Sequence, residues 1–570
     1  MSEFQHNKRW LVSDPLSAAA SQTLNGFPLA LQGILFSRGY ATHAEARRFL
    51  AAEVAFDTSP WQMKNMRRAV ERIAEAVQRG EKIVIYGDYD VDGVTATVLL
   101  VEALRALGAN VSEYIPRRLE EGYGLNNEAL SLLKEQGAAL VISVDCGIRS
   151  PVEAEHARAI GLDLIISDHH EPAGEIPSAY AVLNPKQPGD EYPEKYLAGV
   201  GIAYKIAEAL RAEYAAPNLQ LESLLDLVAL GTVADLAPLN GENRALVRGG
   251  LRQMRRGARP GIVSLAAVAK ISLTKVTAMD IGFGLGPRLN AAGRLDTALD
   301  SYRLLISREI SETGLLAQQL DGQNRERQTL TREIQSNAET LALAEDPSPL
   351  ILFAADPGFN PGIVGLAAAR LAERYYRPAI VGHMDGEFTR CSCRSIAEFH
   401  ITKALDECAD LLQRHGGHAA AAGFTVANEN WPALKEHLRQ IAARQLTGLD
   451  LRQTLRADAE VRLSDLNFDL LKKLDYLEPT GYGNPGAVFV ARNLRVLSKR
   501  PVGADGKHLK LALGDDGQII FDAIAFRFGE QSASLPQRVD VMFTLENNEY
   551  NGQNRLQLNV KDLKPAGTPD

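Results

Sequence analysis

The feature that most constrains the fold is an alternation of short apolar segments with helical segments between about residues 80 and 170. The apolar segments are "KIVIYGD", "VSEYIP", "ALVISVDCG" and "LDLIISDHH". Predicted helices such as "GVTATVLLVEALRALG" and "PVEAEHARAIG" separate them. This alternation indicates βαβ units and a parallel sheet that is covered on both faces. In such sheets ligands bind beyond the carboxyl ends of the strands, so the residues that end these segments should converge on one edge.

Carboxylates and imidazoles occupy those strand ends. The residues concerned are Asp88, Asp90 and Asp92 after the first segment, Asp145 in "VISVD", and Asp168, His169 and His170 in "SDHH". Asp235 is expected in the turn after a helix that ends near Gly231. Like charges this close raise each other's pKa, so the cluster is unfavourable without a compensating cation.

The ligand chemistry of this cluster indicates a divalent cation. The expected ligands are Asp88, Asp90, Asp92, Asp145, His169 and Asp235. Carboxylates with some imidazole suit Mn²⁺ or Mg²⁺, and this many ligands makes two ions plausible. Two such ions can clamp the attacking and leaving oxygens of a phosphoryl displacement. A calcium loop does not fit, because the 12-residue loop that ends in Glu is absent.

The cysteines give little support to a second metal site. Cys391 and Cys393 have C-x-C spacing, but no second pair lies at zinc-finger spacing. The favoured interpretation is that they are small, half-buried strand residues.

Composition indicates a multidomain globular protein. The 570 residues predict three or four domains at roughly 150 residues each. The net charge of −9 argues against a general cationic coat, although it leaves room for a local basic groove. No apolar run approaches the roughly 20 residues that span a bilayer, and the N-terminus lacks a signal-peptide core, so a cytoplasmic location is expected.

The remaining chain divides into further regions. Residues 1–75 are expected to be helical, with a capping box at Thr42 and Glu45, and the polar segment 305–345 suits a long bridging helix. A second α/β unit should begin at "SPLILFAAD". After about residue 455 the pattern predicts about five short strands in a small barrel, with a hairpin turn at Asn551-Gly552.

Four motifs carry a family resemblance. "GDYDVDG", "SVDCG", "SDHH" and "GTVADL", in this order, resemble the motifs of the DHH phosphoesterase superfamily. "GPRLNAAGRLD" and "DPGFNPGIVGLAAARL" are similar to segments of its bacterial single-strand-specific 5′→3′ DNA exonucleases. The resemblance implies a parallel-sheet DHH domain (76–304), a connecting helix (305–345), an α/β DHH-associated domain (346–452) and an OB-fold barrel (453–570).

The resemblance also implies residue roles in the DHH domain. Asp90 and Asp92 match a metal-binding pair, Asp88 is a further ligand or lies just behind them, and Asp145 matches a carboxylate that bridges both ions. His169 and Asp235 match ligands, His170 faces the scissile phosphate, and Asp168 orients a histidine.

Further residues are implied to hold the strand. Ser392 and Arg394 match residues that are expected to bind a 5′-phosphate, and the planar guanidinium of arginine can donate two hydrogen bonds to phosphate oxygens. Gly416, Gly417 and His418 form a glycine-rich turn beside the nucleotide. Arg118, Arg288, Asn290 and Arg294 are candidates for backbone or interdomain contacts.

The barrel has its own candidates. Its basic residues are Arg492, Arg495, Lys499, Arg500, Lys507 and Lys510. The interleaved Phe521, Phe526 and Phe528 are expected to be core residues rather than stacking platforms for bases.

The implied function is release of 5′-mononucleotides from single-stranded DNA by two-metal hydrolysis, in recombination and mismatch repair. The implied partners are single-strand-binding protein and a RecQ-type helicase, with a monomeric enzyme and no membrane. Two alternatives keep the fold. One is a pyrophosphatase or a phosphodiesterase of cyclic dinucleotides or very short oligonucleotides, and the other is a replication scaffold without turnover.

Overall fold

The computed structural model describes residues 8–52, 58–118, 120–214, 216, 218–257, 259–550 and 552–569. The helices are α1 (Ala18–Thr23), α2 (Leu29–Ser37), α3 (His43–Ala51), α4 (Met66–Arg79), α5 (Val91–Ala106), α6 (Asn127–Glu135), α7 (Pro151–Ala159), α8 (Gly199–Glu213), α9 (Leu225–Ala234), α10 (Gly241–Gly257), α11 (Pro260–Ala269), α12 (Ala278–Asp280), α13 (Gly286–Leu295), α14 (Leu299–Ile306), α15 (Ile310–Glu345), α16 (Val364–Tyr375), α17 (Ile401–Asp406), α18 (Trp431–Leu446) and α19 (Phe468–Leu474).

The strands are β1 (Lys8–Val12), β2 (Lys82–Gly87), β3 (Asn110–Tyr114), β4 (Ala138–Val144), β5 (Asp163–Ser167), β6 (Ala181–Leu183), β7 (Leu352–Asp356), β8 (Ala379–Met384), β9 (Phe388–Arg394), β10 (Leu412–Gly417), β11 (Ala421–Ala427), β12 (Gln453–Ala457), β13 (Ala459–Glu460), β14 (Phe489–Val502), β15 (His508–Gly514), β16 (Ile520–Ala525), β17 (Arg538–Tyr550) and β18 (Gln553–Pro565). No helix of the described residues is long and apolar enough to cross a membrane.

The chain forms two compact units. The larger unit contains the described parts of Phe56–Ala237 and Gly249–Leu451. The smaller unit contains the described parts of Met1–Ala55, Pro238–Arg248 and Arg452–Asp570.

The first sheet of the larger unit is parallel, as the sequence predicted. Its strand order is β3-β2-β4-β5-β6, and every neighbouring pair is parallel. Ile83, Val84 and Ile85 are all buried, because helices cover both faces of a parallel sheet. The carboxyl ends of β2, β4, β5 and β6 therefore share one edge.

Helix α9 extends past Gly231, so the prediction that it ends there is wrong. Gly231 lies inside the helix, and Asp235 follows its last residue directly. A Cβ atom at Gly231 would lie 2.4 Å from Thr95 Oγ1 and 2.7 Å from Asp92 Oδ1. The glycine therefore lets α9 pack closely against α5 and does not end the helix.

Helix α15 is the long helix that the polar segment predicted. It has 36 residues, or about 54 Å at 1.5 Å per residue. It packs first against α11, α13 and α14 and then against β7 and α16. Its small buried residues, such as Ala317 and Ala338, face these neighbours.

The second sheet of the larger unit has the order β10-β11-β9-β8-β7. Only β7 and β8 pair in parallel, and the other neighbours are antiparallel. Cys391 and Cys393 are free thiols in β9 and are fully buried in the apolar core, not half-buried as predicted.

The smaller unit contains the predicted barrel. Its strands run β14-β15-β16-β18-β17, and pairing of β14 with β17 closes it. Phe521 is buried in its core and Phe528 packs partly against the core, but Phe526 is exposed, contrary to expectation. Of the predicted hairpin turn, Asn551 lies outside the described residues.

The N-terminal region is not wholly helical. The capping box of Thr42 and Glu45 is present at the start of α3. Lys8–Val12, however, is a strand that pairs in parallel with Gln453–Ala457. Local periodicity cannot reveal a partner that distant in sequence, which is why the helical prediction was wrong here.

Candidate active site

The first acidic motif links β2 to α5. Asp90 caps α5, because its Oδ1 accepts hydrogen bonds from the backbone of Asp92 (2.8 Å) and Gly93 (3.1 Å). Asp88 and Asp92 are both buried. The five residues of this turn therefore place three carboxylates at the edge of the sheet.

Asp92 is held from the opposite side by the start of α8. Its two oxygens accept hydrogen bonds from the backbone of Gly199 (2.6 Å) and Val200 (2.9 Å). A Cβ atom at Gly199 would lie 2.8 Å from Asp145 Cβ. Glycine at this position is thus required for α8 to approach both carboxylates.

Asp145 occupies the centre of the cluster. It follows β4 in a left-handed conformation (φ 62°), and its Oδ1 lies 3.0 Å from His169 Nε2. Despite this short distance, the two buried atoms do not form a hydrogen bond, and neither they nor Asp88 Oδ1 has a hydrogen-bond partner among the described residues. Buried polar atoms are normally satisfied, so three such atoms in one cluster fit a bound cation.

The ligand atoms form overlapping groups. Asp88, Asp90 and Asp145 form one, and Asp92, His169 and Asp235 form another, each with ligand atoms within 4.8 Å of one another. Asp145 and His169 also form a group with His170. The structure thus brings together all the ligands that the sequence predicted, in arrangements that could hold one or two ions.

The electrostatics of the cluster favour a cation. Burial, and then repulsion from neighbouring carboxylates, raise the pKa of Asp88 and Asp145 well above the usual range. The same causes raise the pKa of Asp92 to about 7 and of Asp235 to about 9. Burial lowers the pKa of His169 to about 3, so this imidazole is neutral and can act as a ligand.

Asp168 contacts His170. Its Oδ1 lies 2.8 Å from His170 Nδ1 and also accepts from the His170 backbone, while its Oδ2 accepts from the Ile148 backbone. Burial opposes ionisation of Asp168, but the hydrogen bond and charge of His170, the charge of His169 and the Ile148 amide together lower the pKa of Asp168. Both oxygens are in use, so Asp168 orients His170 and leaves metal binding to its neighbours.

Ser392 and Arg394 lie at the end of β9, facing the first turn of α16. A Cβ atom at Gly365 of α16 would lie 3.4 Å from Ser392 Oγ and 3.5 Å from Arg394 Nη2. A helix N-terminus with a neighbouring guanidinium favours phosphate.

Two more arginines approach this group. Arg118 lies over the Tyr89 ring at 4.9 Å, and Arg294 Nη1 lies 3.4 Å from the Gly362 carbonyl. Burial lowers the pKa of Arg294 to about 10, and repulsion from Arg118 and Arg394 contributes. Arg118, Arg294 and Arg394 have no ion pair within the described part of the chain. They form a cationic cluster beside the carboxylates, and the charges of Asp88 and Asp90 act on Arg118 and Arg294.

Comparisons with known proteins agree with this arrangement. Models of the DHH family N-terminal domain, the DHHA1 domain and the RecJ OB domain match residues 82–232, 348–444 and 457–562. The single-stranded-DNA-specific exonuclease RecJ of Escherichia coli is 35% identical over 94% of this chain and 96% of its own length. The chain belongs to the RecJ family.

Other RecJ proteins extend the match. RecJ of Bacillus subtilis is 38% identical over 97% of this chain and 70% of its own length. The crystal structure of Thermus thermophilus RecJ with Mn²⁺ covers 99% of this chain and 80% of its own, with a TM-score of 0.85 and 29% identity. The same protein with Mg²⁺ gives a TM-score of 0.79 at 27% identity. The prediction of a metal-dependent exodeoxyribonuclease with Mn²⁺ or Mg²⁺ is therefore confirmed.

Membership in the RecJ family also bears on the alternatives. Neither a pyrophosphatase nor an inactive scaffold agrees with relatives named exonucleases that align over nearly the whole chain.

Two predicted substrate residues have structural partners instead. Arg288 pairs with Asp321 of α15 (2.9 Å) and donates to the Gly284 carbonyl. Asn290 Oδ1 accepts from the Val91 backbone at 3.2 Å. Arg288 ties α13 to α15, and Asn290 ties α13 to the start of α5 at the edge of the site.

Gly417 and His418 lie at the hairpin between β10 and β11. Gly417 has φ 149°, and a Cβ atom there would lie 2.4 Å from the Ala421 carbonyl, so the hairpin requires glycine. The backbone amide of His418 donates to the same carbonyl. Its side chain is exposed, and partial burial, followed by the charges of Arg149 and His170, lowers the pKa of His418.

Five of the six basic residues predicted in the barrel contact an aspartate or a backbone carbonyl. Arg492 contacts Asp540, Arg495 contacts Asp516, Lys507 contacts Asp505, Lys510 contacts Asp522, and Lys499 donates to the Leu535 carbonyl. Of the predicted basic cluster, only Arg500 has no such contact in the part of the chain that the structure describes.

The sequence interpretation missed three residues beside the site. Tyr123 Oη lies 3.2 Å from His170 Nδ1 and 3.4 Å from the Asp145 carbonyl. Asn184 and Lys186 follow β6, a three-residue strand that was not predicted. The rule that ligands bind beyond strand ends would have found both, had the short apolar run Ala181–Leu183 been taken as a strand.

Proposed function

We propose that this chain is a single-strand-specific 5′→3′ exonuclease that releases 5′-mononucleotides by two-metal hydrolysis. The observation that carries the proposal is the set of three overlapping ligand groups, two of which contain Asp145, together with unpaired buried atoms on Asp88, Asp145 and His169. This site lies beside an arginine cluster without ion pairs among the described residues, in the same compact unit.

The residues divide into two sets of ligands in this proposal. Asp88 and Asp90 would hold one ion, Asp92, His169 and Asp235 would hold the other, and Asp145, which groups both with Asp88 and with His169, would serve both. Divalent ions in such sites supply a water of lowered pKa and neutralise phosphate charge. Asp88 is assigned as a direct ligand, because its Oδ1 is buried without a partner.

His170 is proposed to contact the scissile phosphate. Its Nδ1 is held by Asp168, so Nε2 is the ring atom left to donate a hydrogen bond to a phosphate oxygen. The Tyr123 hydroxyl lies against the same ring and restricts its rotation.

Arg394, Ser392 and the start of α16 are proposed to hold the 5′-phosphate, with Arg118 and Arg294 completing the cluster. A pocket that binds the terminal phosphate places the first internucleotide linkage at the metal centre, which sets the direction of digestion. We assign Gly417 and His418 to the nucleotide that lies between these two points, and we retain Arg288 and Asn290 only as supports of α13.

Several broader assignments belong to the same proposal. We propose domains at 1–75, 76–304, 305–345, 346–452 and 453–570, in line with the residues that the family models match. We also propose a cytoplasmic monomer that acts in recombination and mismatch repair with single-strand-binding protein and a RecQ-type helicase, on the strength of the family.

The test uses a single strand labelled at its 5′ or its 3′ end, with Mn²⁺ or Mg²⁺. We expect the 5′ label to appear at once in a mononucleotide and the 3′ label to stay in shortening strands. Release from the 3′ end first, or equal digestion of blunt duplex, would contradict the proposal. A higher rate on a dinucleotide than on a long strand would favour the short-oligonucleotide phosphodiesterase.

A further inference from the structure

A second cationic group lies on the other side of the metal centre. Lys186 follows β6, and its backbone amide donates to Asn184 Oδ1 at 2.8 Å. The Asn184 amide Nδ2 donates to the His170 carbonyl at 2.9 Å. Asn184 is fully buried, so it fixes the Lys186 loop to the loop that carries both histidines.

The Lys186 ammonium lies within reach of the site. Its side chain is 16% exposed, and its Nζ is 3.2 Å from Glu171, whose side chain is 58% exposed. The same Nζ lies over the Tyr196 ring at 5.5 Å. A solvated partner such as Glu171 screens the charge only in part, so Lys186 keeps attraction for an anion.

Two further groups complete this side. Arg149 Nε donates to the Glu171 carbonyl at 2.9 Å, which brings its guanidinium to the same loop. His418 lies close enough to Arg149 and Lys186 for their charges to act on it. Groups from the Asp145 turn, the β6 loop and the second sheet thus converge around His170.

The two cationic groups flank different ligands. Arg118 lies over the ring of Tyr89, between Asp88 and Asp90 in the chain, whereas the Lys186 loop is tied through Asn184 to the loop of His169 and His170. Under the proposed function, a strand whose 5′ end is held at Arg394, beside Arg118, would pass Asp88 and Asp90 first. It therefore leaves the metal centre on the His169 and Asp235 side.

We infer that Lys186, supported by Arg149, binds the phosphodiester on the 3′ side of the scissile linkage. The inference rests on the proposed function. It assigns a second phosphate subsite that requires a substrate of at least three nucleotides. Binding there holds the remaining strand while the terminal nucleotide departs.

The test compares Lys186→Gln with wild type on a 5′-phosphorylated dinucleotide and trinucleotide, because only the trinucleotide has a linkage beyond the scissile one. We expect kcat/KM to fall about tenfold more on the trinucleotide, as for one charge-assisted hydrogen bond. Lys195→Gln is the matched control. Its ammonium is held by Asp190, so both substrates should be cleaved at the wild-type rate.

A neutral methylphosphonate at the second linkage gives an independent measurement. It should slow wild type about tenfold and slow Lys186→Gln little further, since the two changes remove the same contact. If the variant does not fold, the wild-type comparison alone decides the inference.

Equal losses of the variant on both substrates, or a methylphosphonate without effect on wild type, would overturn the subsite. Wild type that releases no 5′-mononucleotide from the trinucleotide would instead overturn the proposed function, so the two failures are distinguishable.

Discussion

The sheet edge of the larger unit and the barrel of the smaller unit use charge in opposite ways. At the sheet edge, Asp88, Asp145 and His169 carry buried atoms without partners. In the barrel, Arg538 and Lys507 are 40% and 69% exposed and each contacts an aspartate. A buried charge without a partner lowers the stability of the folded protein, so its presence indicates a bound ligand, whereas an exposed ion pair contributes little to stability. The difference predicts where substitutions will be felt.

The largest effect is expected at the centre of the sheet edge. Asp145→Asn keeps the shape but removes the charge of the residue that belongs to two of the three ligand groups, so activity should fall by about 1,000-fold or more. Rates of mononucleotide release would be compared with those of Asp516→Asn, whose carboxylate is exposed and paired in the barrel. Comparable losses in both variants would break the comparison.

The arginine cluster should give the next largest effect. Arg394→Gln removes a partly buried guanidinium without an ion pair, so kcat/KM on a 5′-phosphorylated strand should fall about 10- to 100-fold. The loss should be smaller on a 5′-hydroxyl strand. Arg390→Gln on the same strand β9 is the control, because Arg390 is exposed and pairs with Asp385. A loss independent of the 5′-phosphate would remove Arg394 from that pocket.

Metal-free protein should lose stability as pH rises. Burial and repulsion raise the pKa of Asp92 to about 7 and of Asp235 to about 9, so the folded state binds more protons than the unfolded state. Their stabilising contribution is present below about pH 4 and is lost as pH rises through these folded values.

Thermal unfolding of chelator-treated protein between pH 5 and pH 9 would measure this, with an expected fall of several degrees. Mn²⁺ should cancel the fall for wild type, and Asp145→Asn without metal should fall less, because one charge is gone. A metal-free Tm that rises with pH would show that the cluster is not strained in this way.

The smallest effect is expected in the barrel. Lys510→Gln removes an ammonium that lies 3.9 Å from Asp522, with both side chains about 40% exposed. Affinity for a long single strand should change by less than about fivefold, the range of an exposed pair. Arg500 has no such contact, so Arg500→Gln should lower the affinity for the strand more than Lys510→Gln does. The reverse order would mean that ion pairing does not decide which basic residues of the barrel bind DNA.

Prediction from the sequence succeeded where local pattern decides the structure. Strands β2 to β5 and helix α15 follow from periodicity, and the convergence of Asp145, His169 and Asp235 follows from the geometry of parallel sheets. It failed at Lys8–Val12 and at Gly231, where a partner distant in sequence determines the conformation or the need for glycine.

The sequence by itself determined the fold class, the family and the ligand types, because these depend on residue order and on short-range spacing. Only the tertiary structure decided which charges are compensated. Arg288 forms an ion pair with Asp321, whereas Arg118, Arg294 and Arg394 lie near one another without an ion pair among the described residues. Lys186 reached the site through Asn184 and the His170 carbonyl. Pairing depends on distances between segments far apart in the chain, and no local pattern encodes those distances.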